Sequence, residues 1–98
     1  MNISTTMEGS KLTVALEGRL DTTSAPQLEG MLRDSLRGMT ELEMDFAQLA
    51  YISSAGLRVL LSAMKLMKKQ GSMVVRNVNE TVMEVFEITG FADMLTIE

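Results

Sequence analysis

Tyr51-Ile52-Ser53-Ser54-Ala55-Gly56-Leu57 joins two different periodicities. Before it, Glu41-Leu42-Glu43-Met44-Asp45-Phe46 alternates polar and apolar residues, as a strand with one wet face does. After it, Leu57, Leu60, Leu61, Met64 and Met67 recur at helical spacing. Two adjacent hydroxyls therefore stand where a strand hands over to a helix. Unpaired backbone N–H groups and the positive end of the helix dipole converge there. Such a place suits a phosphate, and it equally suits an ordinary helix cap.

Working outward, the same strand and helix logic covers the rest of the chain. On the N-terminal side, Ile3, Thr5 and Met7 alternate with polar neighbours, Glu8-Gly9-Ser10 can turn, and Leu12, Val14 and Leu16 alternate again. This predicts a hairpin that ends at Gly18, with Arg19-Leu20-Asp21-Thr22-Thr23 as a loop. Ser24-Ala25-Pro26-Gln27 has capping-box spacing and opens a first helix along Leu28, Leu32 and Leu36. On the C-terminal side, the second helix should run to about Lys69, largely buried because Val59, Ala63 and Leu66 widen its apolar seam, with Gly71 ending it. Met73-Val74-Val75 reads as a buried strand. Asn79 can cap a third helix with Val82, Val85 and Phe86 inside and Gly90 at its stop, where Phe86 and Phe91 can meet. Met94-Leu95-Thr96-Ile97 should be a final strand. The expected fold is α/β: a mainly parallel mixed sheet with an N-terminal hairpin and about three helices, in a single domain over residues 1–98.

Composition narrows the chemistry. The 98 residues include no cysteine and no histidine, which weighs against a zinc site and excludes a Ser-His-Asp hydrolase. A net charge of −4 opposes nucleic-acid binding. No run reaches the length of a membrane span, and Met1-Asn2-Ile3-Ser4-Thr5-Thr6-Met7-Glu8 lacks the features of a signal peptide, so a cytoplasmic protein is expected. Ten methionines and few aromatics suggest an aliphatic, adaptable core, with Met44, Met64 and Met67 on inner faces. Lys65, Lys68 and Lys69 complement the dipole at the end of the second helix. No glycine-rich phosphate loop and no plausible carboxylate pair composes an active site, so no enzyme activity, cofactor or metal is expected.

From Asp45 to Leu57 the chain resembles the signature of STAS domains, the family of bacterial anti-sigma factor antagonists and of cytoplasmic domains of anion transporters. The resemblance implies the β/α fold just described. It places Ser54 on the regulatory phosphoacceptor, with Ser53 as the alternative, since it stands where some members carry an aspartate. It places Asp21 on the surface a kinase recognises. Asp21, with Thr22 and Thr23 beside it, should neighbour the serine loop, because loops at the C-terminal ends of parallel strands share one edge. If Ser24 caps the first helix, Asp21 has no evident structural task. Arg58, one turn past Ser54, is placed to pair with a phosphate. Gly56 permits close approach, of a partner's backbone or of its own sheet. Asp45 should hydrogen-bond into the following loop. The implied function is a binding module that captures an anti-sigma factor/serine protein kinase while Ser54 is unphosphorylated, with a serine phosphatase as transient partner and a monomer when free. The alternative is a non-switching subunit docked on a membrane transport complex.

Overall fold

The computed structural model describes residues 1–98. Strands β1 (Asn2–Glu8) and β2 (Lys11–Leu20) form the expected antiparallel hairpin, closing at Glu8↔Lys11. Helix α1 (Ala25–Ser35), strand β3 (Glu41–Ile52), helix α2 (Ser54–Gln70), strand β4 (Ser72–Arg76) and helix α3 (Glu80–Thr89) follow. The sheet order is β1-β2-β3-β4, with β2–β3 and β3–β4 parallel.

Alternation decides which side of the sheet is covered. Leu12, Val14 and Leu16 of β2 and Leu42, Met44 and Phe46 of β3 are buried. They meet Leu28 and Leu32 of α1, Leu57, Leu60 and Met67 of α2, and Val82 and Phe86 of α3 in one core of 22 residues. Phe86 stacks at a tilt on Phe46, with ring centroids 6.4 Å apart, so its aromatic partner lies on β3. The intervening strand residues form an open, charged face. There Glu43 pairs with Lys11 at 3.5 Å and Arg76 at 2.9 Å, and Arg76 reaches Glu98 at 3.1 Å.

The structure departs from expectation in five places. First, β2 does not stop at Gly18. That glycine takes a φ of +107°, which side-chain-bearing residues rarely adopt, and the strand shifts register there and continues to the buried Leu20. Second, β3 runs past Phe46 to Ile52, because two register shifts absorb the extra residues between Asp45 and Tyr51. Third, α2 is less buried than its composition suggests. Leu66 is 38% exposed and Leu61 and Met64 are half-buried, because the sheet covers only one side of the helix. Fourth, in β4 only Val75 is fully buried. Fifth, the chain after Gly90 forms one more turn, α4 (Phe91–Met94), in place of a strand. Only Ile97 pairs with the sheet, by a single parallel bridge to Val75.

Asp45 has the structural task expected of it. Its Oδ1 accepts from Ala47 N at 3.0 Å, inside the first register shift, and from Asn77 Nδ2 at 2.9 Å. Asn77 holds a φ of +60°, tolerable for asparagine, directly after β4. The amide of Asn77, then the N–H of Ala47, hold the Asp45 carboxyl below its ordinary value of 3.8. A depressed folded value stabilises the fold above the unfolded value, and that stability is lost as pH falls through the folded one. Urea midpoints should therefore hold from pH 7 to about 5 and fall as pH nears and passes 3.8. Asp45→Asn should show a smaller fall over the same window. Equal falls in the two proteins would mean that this carboxylate carries none of the acid sensitivity.

Candidate functional site

The C-terminal ends of β2 and β3 bring the two suspected loops together. Arg19 pairs with Tyr51 and Leu20 with Ile52 in register, and Ser53 N donates to Leu20 O at 2.9 Å. The Asp21–Thr23 loop thus lies beside the serines, as the strand-end argument predicts.

Within the first loop the capping roles are exchanged. Ser24 adopts helical backbone angles and makes no side-chain cap bond. The turn has already begun at Asp21, since Ala25 N donates to Asp21 O at 2.8 Å. Asp21 Oδ1 accepts from Thr23 N at 3.0 Å and Ser24 N at 3.1 Å, so the aspartate satisfies the free N–H groups. Ser24 Oγ instead donates to Arg19 O at 2.7 Å and accepts from Asp21 N at 2.9 Å, pinning the loop to the strand end. The premise that Asp21 lacks a structural task is therefore incorrect. The Ser24 N–H foremost, then Thr23 N–H, the Ser24 hydroxyl and Arg19, lower the Asp21 carboxyl from 3.8 against a weaker opposing effect of burial. Asp21 stays ionised, with Oδ2 turned toward Arg19 at 3.9 Å. Thr22 and Thr23 are exposed beside it.

The two serines differ sharply. Ser53 occupies the cap position of α2 with extended backbone angles, yet its hydroxyl makes no cap bond. That hydroxyl is buried without a hydrogen-bond partner. Ser54 is the first helical residue and is exposed. The first intrahelical bond is Leu57 N to Ser53 O at 3.0 Å, so the N–H groups of Ser54, Ala55 and Gly56 precede any helical acceptor. A neutral hydroxyl thus stands in solvent at the positive end of a 17-residue helix. Arg58 is exposed one turn further on.

Gly56 is buried, and the close approach it permits is to its own sheet. A methyl there would stand 2.7 Å from Leu20 Cγ and 2.9 Å from Ile52 Cγ1. Both neighbours are core residues, so the glycine lets the start of α2 sit on the ends of β2 and β3.

One feature of this edge went unpredicted. The Arg19 guanidinium lies over the Tyr51 ring, 4.4 Å from its centroid. Cross-strand register creates the pair, and spacing within either strand carries no sign of it. No group of three or more His, Cys, Asp or Glu side chains is placed to hold a metal ion. No helix is long and apolar enough to cross a membrane.

Residues 3–96 match the family model described as Mlab, STAS domain. The chain belongs to the STAS-domain family. Among its relatives, a Bordetella bronchiseptica protein named as an anti-sigma factor antagonist, BtrV, is 40% identical over 88 residues, covering 88% of this chain and 76% of that one. The anti-sigma-B factor antagonist of Bacillus subtilis is 30% identical over 98 residues, covering 99% of this chain and 90% of that one. Among solved structures, the STAS fold seen here superposes on unphosphorylated SpoIIAA with a TM-score of 0.78 at 18% identity, covering 99% of this chain and 87% of that one. The phosphorylated form of the Bacillus protein SpoIIAA gives 0.77 at 19% identity, covering 99% and 91%. At these identities the superpositions speak for the fold.

Proposed function

We propose that this STAS domain is an anti-sigma factor antagonist switched by phosphorylation of Ser54. The observation that carries the reading is the contrast between the serines. Ser54 Oγ is open to a kinase at a helix N-terminus free to receive negative charge, whereas Ser53 Oγ is enclosed. The relatives' names support the partner class.

In the unmodified state the edge formed by Asp21, Thr22, Thr23, Ser53, Ser54 and Arg58 presents a neutral hydroxyl to an anti-sigma factor that is also a serine kinase, with Gly56 seating the helix beneath. Phosphoryl transfer forms the Ser54 Oγ–P bond and breaks the β–γ bridge of the kinase's ATP. The hydroxyl proton passes to a base on the kinase. The new group adds about 1.5–2 negative charges and three acceptor oxygens. The helix N-terminus and Arg58 stabilise them in the free protein, and an interface fitted to a hydroxyl does not. Release follows, and a serine phosphatase restores the binding form. The cycle needs no cofactor in this chain, and its setting is the cytoplasm.

The test is a pull-down on immobilised protein, followed by ATP and Mg²⁺. The wild-type bait should retain an ATP-binding anti-sigma factor, gain one phosphate at Ser54, and then release it. A Ser54→Ala bait should retain it throughout. Recovery of a membrane transport complex by both baits, unaffected by ATP, would replace this reading with that of a fixed docking subunit.

A further inference from the structure

Arg19 and Tyr51 form a cross-strand pair that no motif predicts. Arg19 is 64% exposed in its side chain, yet its head rests over the Tyr51 ring, 4.4 Å from the centroid. Its contact with Asp21 is 3.9 Å, too long for a hydrogen bond, so the donor fork remains open to solvent. Asp21 cannot close on it freely, because Oδ1 holds the backbone of Thr23 and Ser24. In a chain of net charge −4, Arg19 is an exposed cation at the end of β2, beside the strand end where Ser53 N donates to Leu20 O.

We propose that Arg19, held on Tyr51, is a specificity-determining residue that receives a carboxylate from the protein partner docked on the serine loop. This rests on the antagonist reading above and deepens it by assigning the partner's chemistry: an acidic side chain aimed at the edge where β2 and β3 end. The planar guanidinium suits a carboxylate bidentately, and the tyrosine ring pre-organises it, so little side-chain freedom is lost on docking.

Tyr51 also supplies a readout, because the chain has one tyrosine and no tryptophan. In the free protein, Arg19→Ala should change Tyr51 emission while leaving the thermal melt in place. The anti-sigma factor recovered in the pull-down would then be purified and titrated by calorimetry at several salt concentrations. Arg19→Ala should raise Kd about tenfold and flatten its dependence on salt. Arg19→Lys should restore the salt dependence and only part of the affinity. Arg33→Ala, which removes a pair with Glu29 on α1, should change neither. Wild-type binding with an unchanged Kd and salt slope in Arg19→Ala overturns this proposal alone. A wild-type chain that captures no anti-sigma factor overturns the antagonist reading and this proposal with it.

Discussion

A chain carrying Ser54→Asp should bind its anti-sigma factor at least about a hundredfold more weakly than wild type, while Ser54→Ala stays within about threefold. The two substitutions differ little in volume beside an exposed hydroxyl, so the difference isolates charge. A carboxylate at this position would be carried into the contact surface and lose its water. A buried, uncompensated charge costs about 3–5 kcal/mol, ample for a hundredfold loss. The free protein should register the opposite sign. Ser54 is the first residue of α2, where an acidic side chain faces the helix dipole, so Ser54→Asp should melt at or slightly above the wild-type temperature. Calorimetry for affinity and circular dichroism for melting check both halves. Full affinity in Ser54→Asp would refute the switch. Lost affinity together with a lowered melt would assign the loss to misfolding.

Gly71→Ala should destabilise the fold by about 3 kcal/mol or more, a melting shift of roughly 15 °C in a domain of this size. A methyl on Gly71 would stand 1.9 Å from the carbonyl oxygen of Thr40 and 2.8 Å from its carbon. The obstacle is backbone, and it is tied on every side. Thr40 O accepts from Ser72 N at 3.0 Å and Thr40 N donates to Ser10 O at 2.8 Å. Gln70 Nε2 adds bonds to Leu36 O at 2.9 Å and Met39 O at 2.8 Å. Moving Thr40 aside would disturb the first pairs of β3 with β4, Glu41↔Ser72 and Leu42↔Met73. Gly38 is the control. It has a φ of +76° and open space around it, so Gly38→Ala should cost only the backbone preference, about 1 kcal/mol. A Gly71→Ala melt no lower than that of Gly38→Ala would show that the clasp yields easily.

The chain discloses its elements through periodicity and its site through adjacency, and each signal fails for its own reason. Leu12, Val14 and Leu16 in β2 and Leu28 and Leu32 in α1 are buried as their spacing requires. Asn79 caps α3 as its position suggests, accepting from Val82 N at 2.8 Å. Periodicity breaks at the register shifts, so the true ends of β2 and β3 were hidden, although the alternation before them was plain. Arg19 and Leu20 consequently read as loop when they are strand. The Ser24–Gln27 spacing was misleading because the Ser24 hydroxyl is committed to Arg19 O and Asp21 N, and the turn already begins at Asp21, whose carboxylate takes the N–H groups of Thr23 and Ser24. The Arg19–Tyr51 pair was invisible because only the folded register places residues 32 apart face to face. That Ser53 and Ser54 differ in access follows from which one turns into the core at the helix start, and adjacent identical residues give no hint of it.

The Ser10–Thr40–Gly71 clasp lies at one end of α2 and the serine loop at the other, separated by 17 residues, or about 25 Å of helix. Lesions in the gene should therefore fall into two genetic kinds. Damage to the clasp lowers the amount of folded protein but leaves each surviving molecule competent, so a higher gene dosage compensates for it. Damage at the serine loop leaves abundance normal and changes what each molecule does, and no dosage restores it.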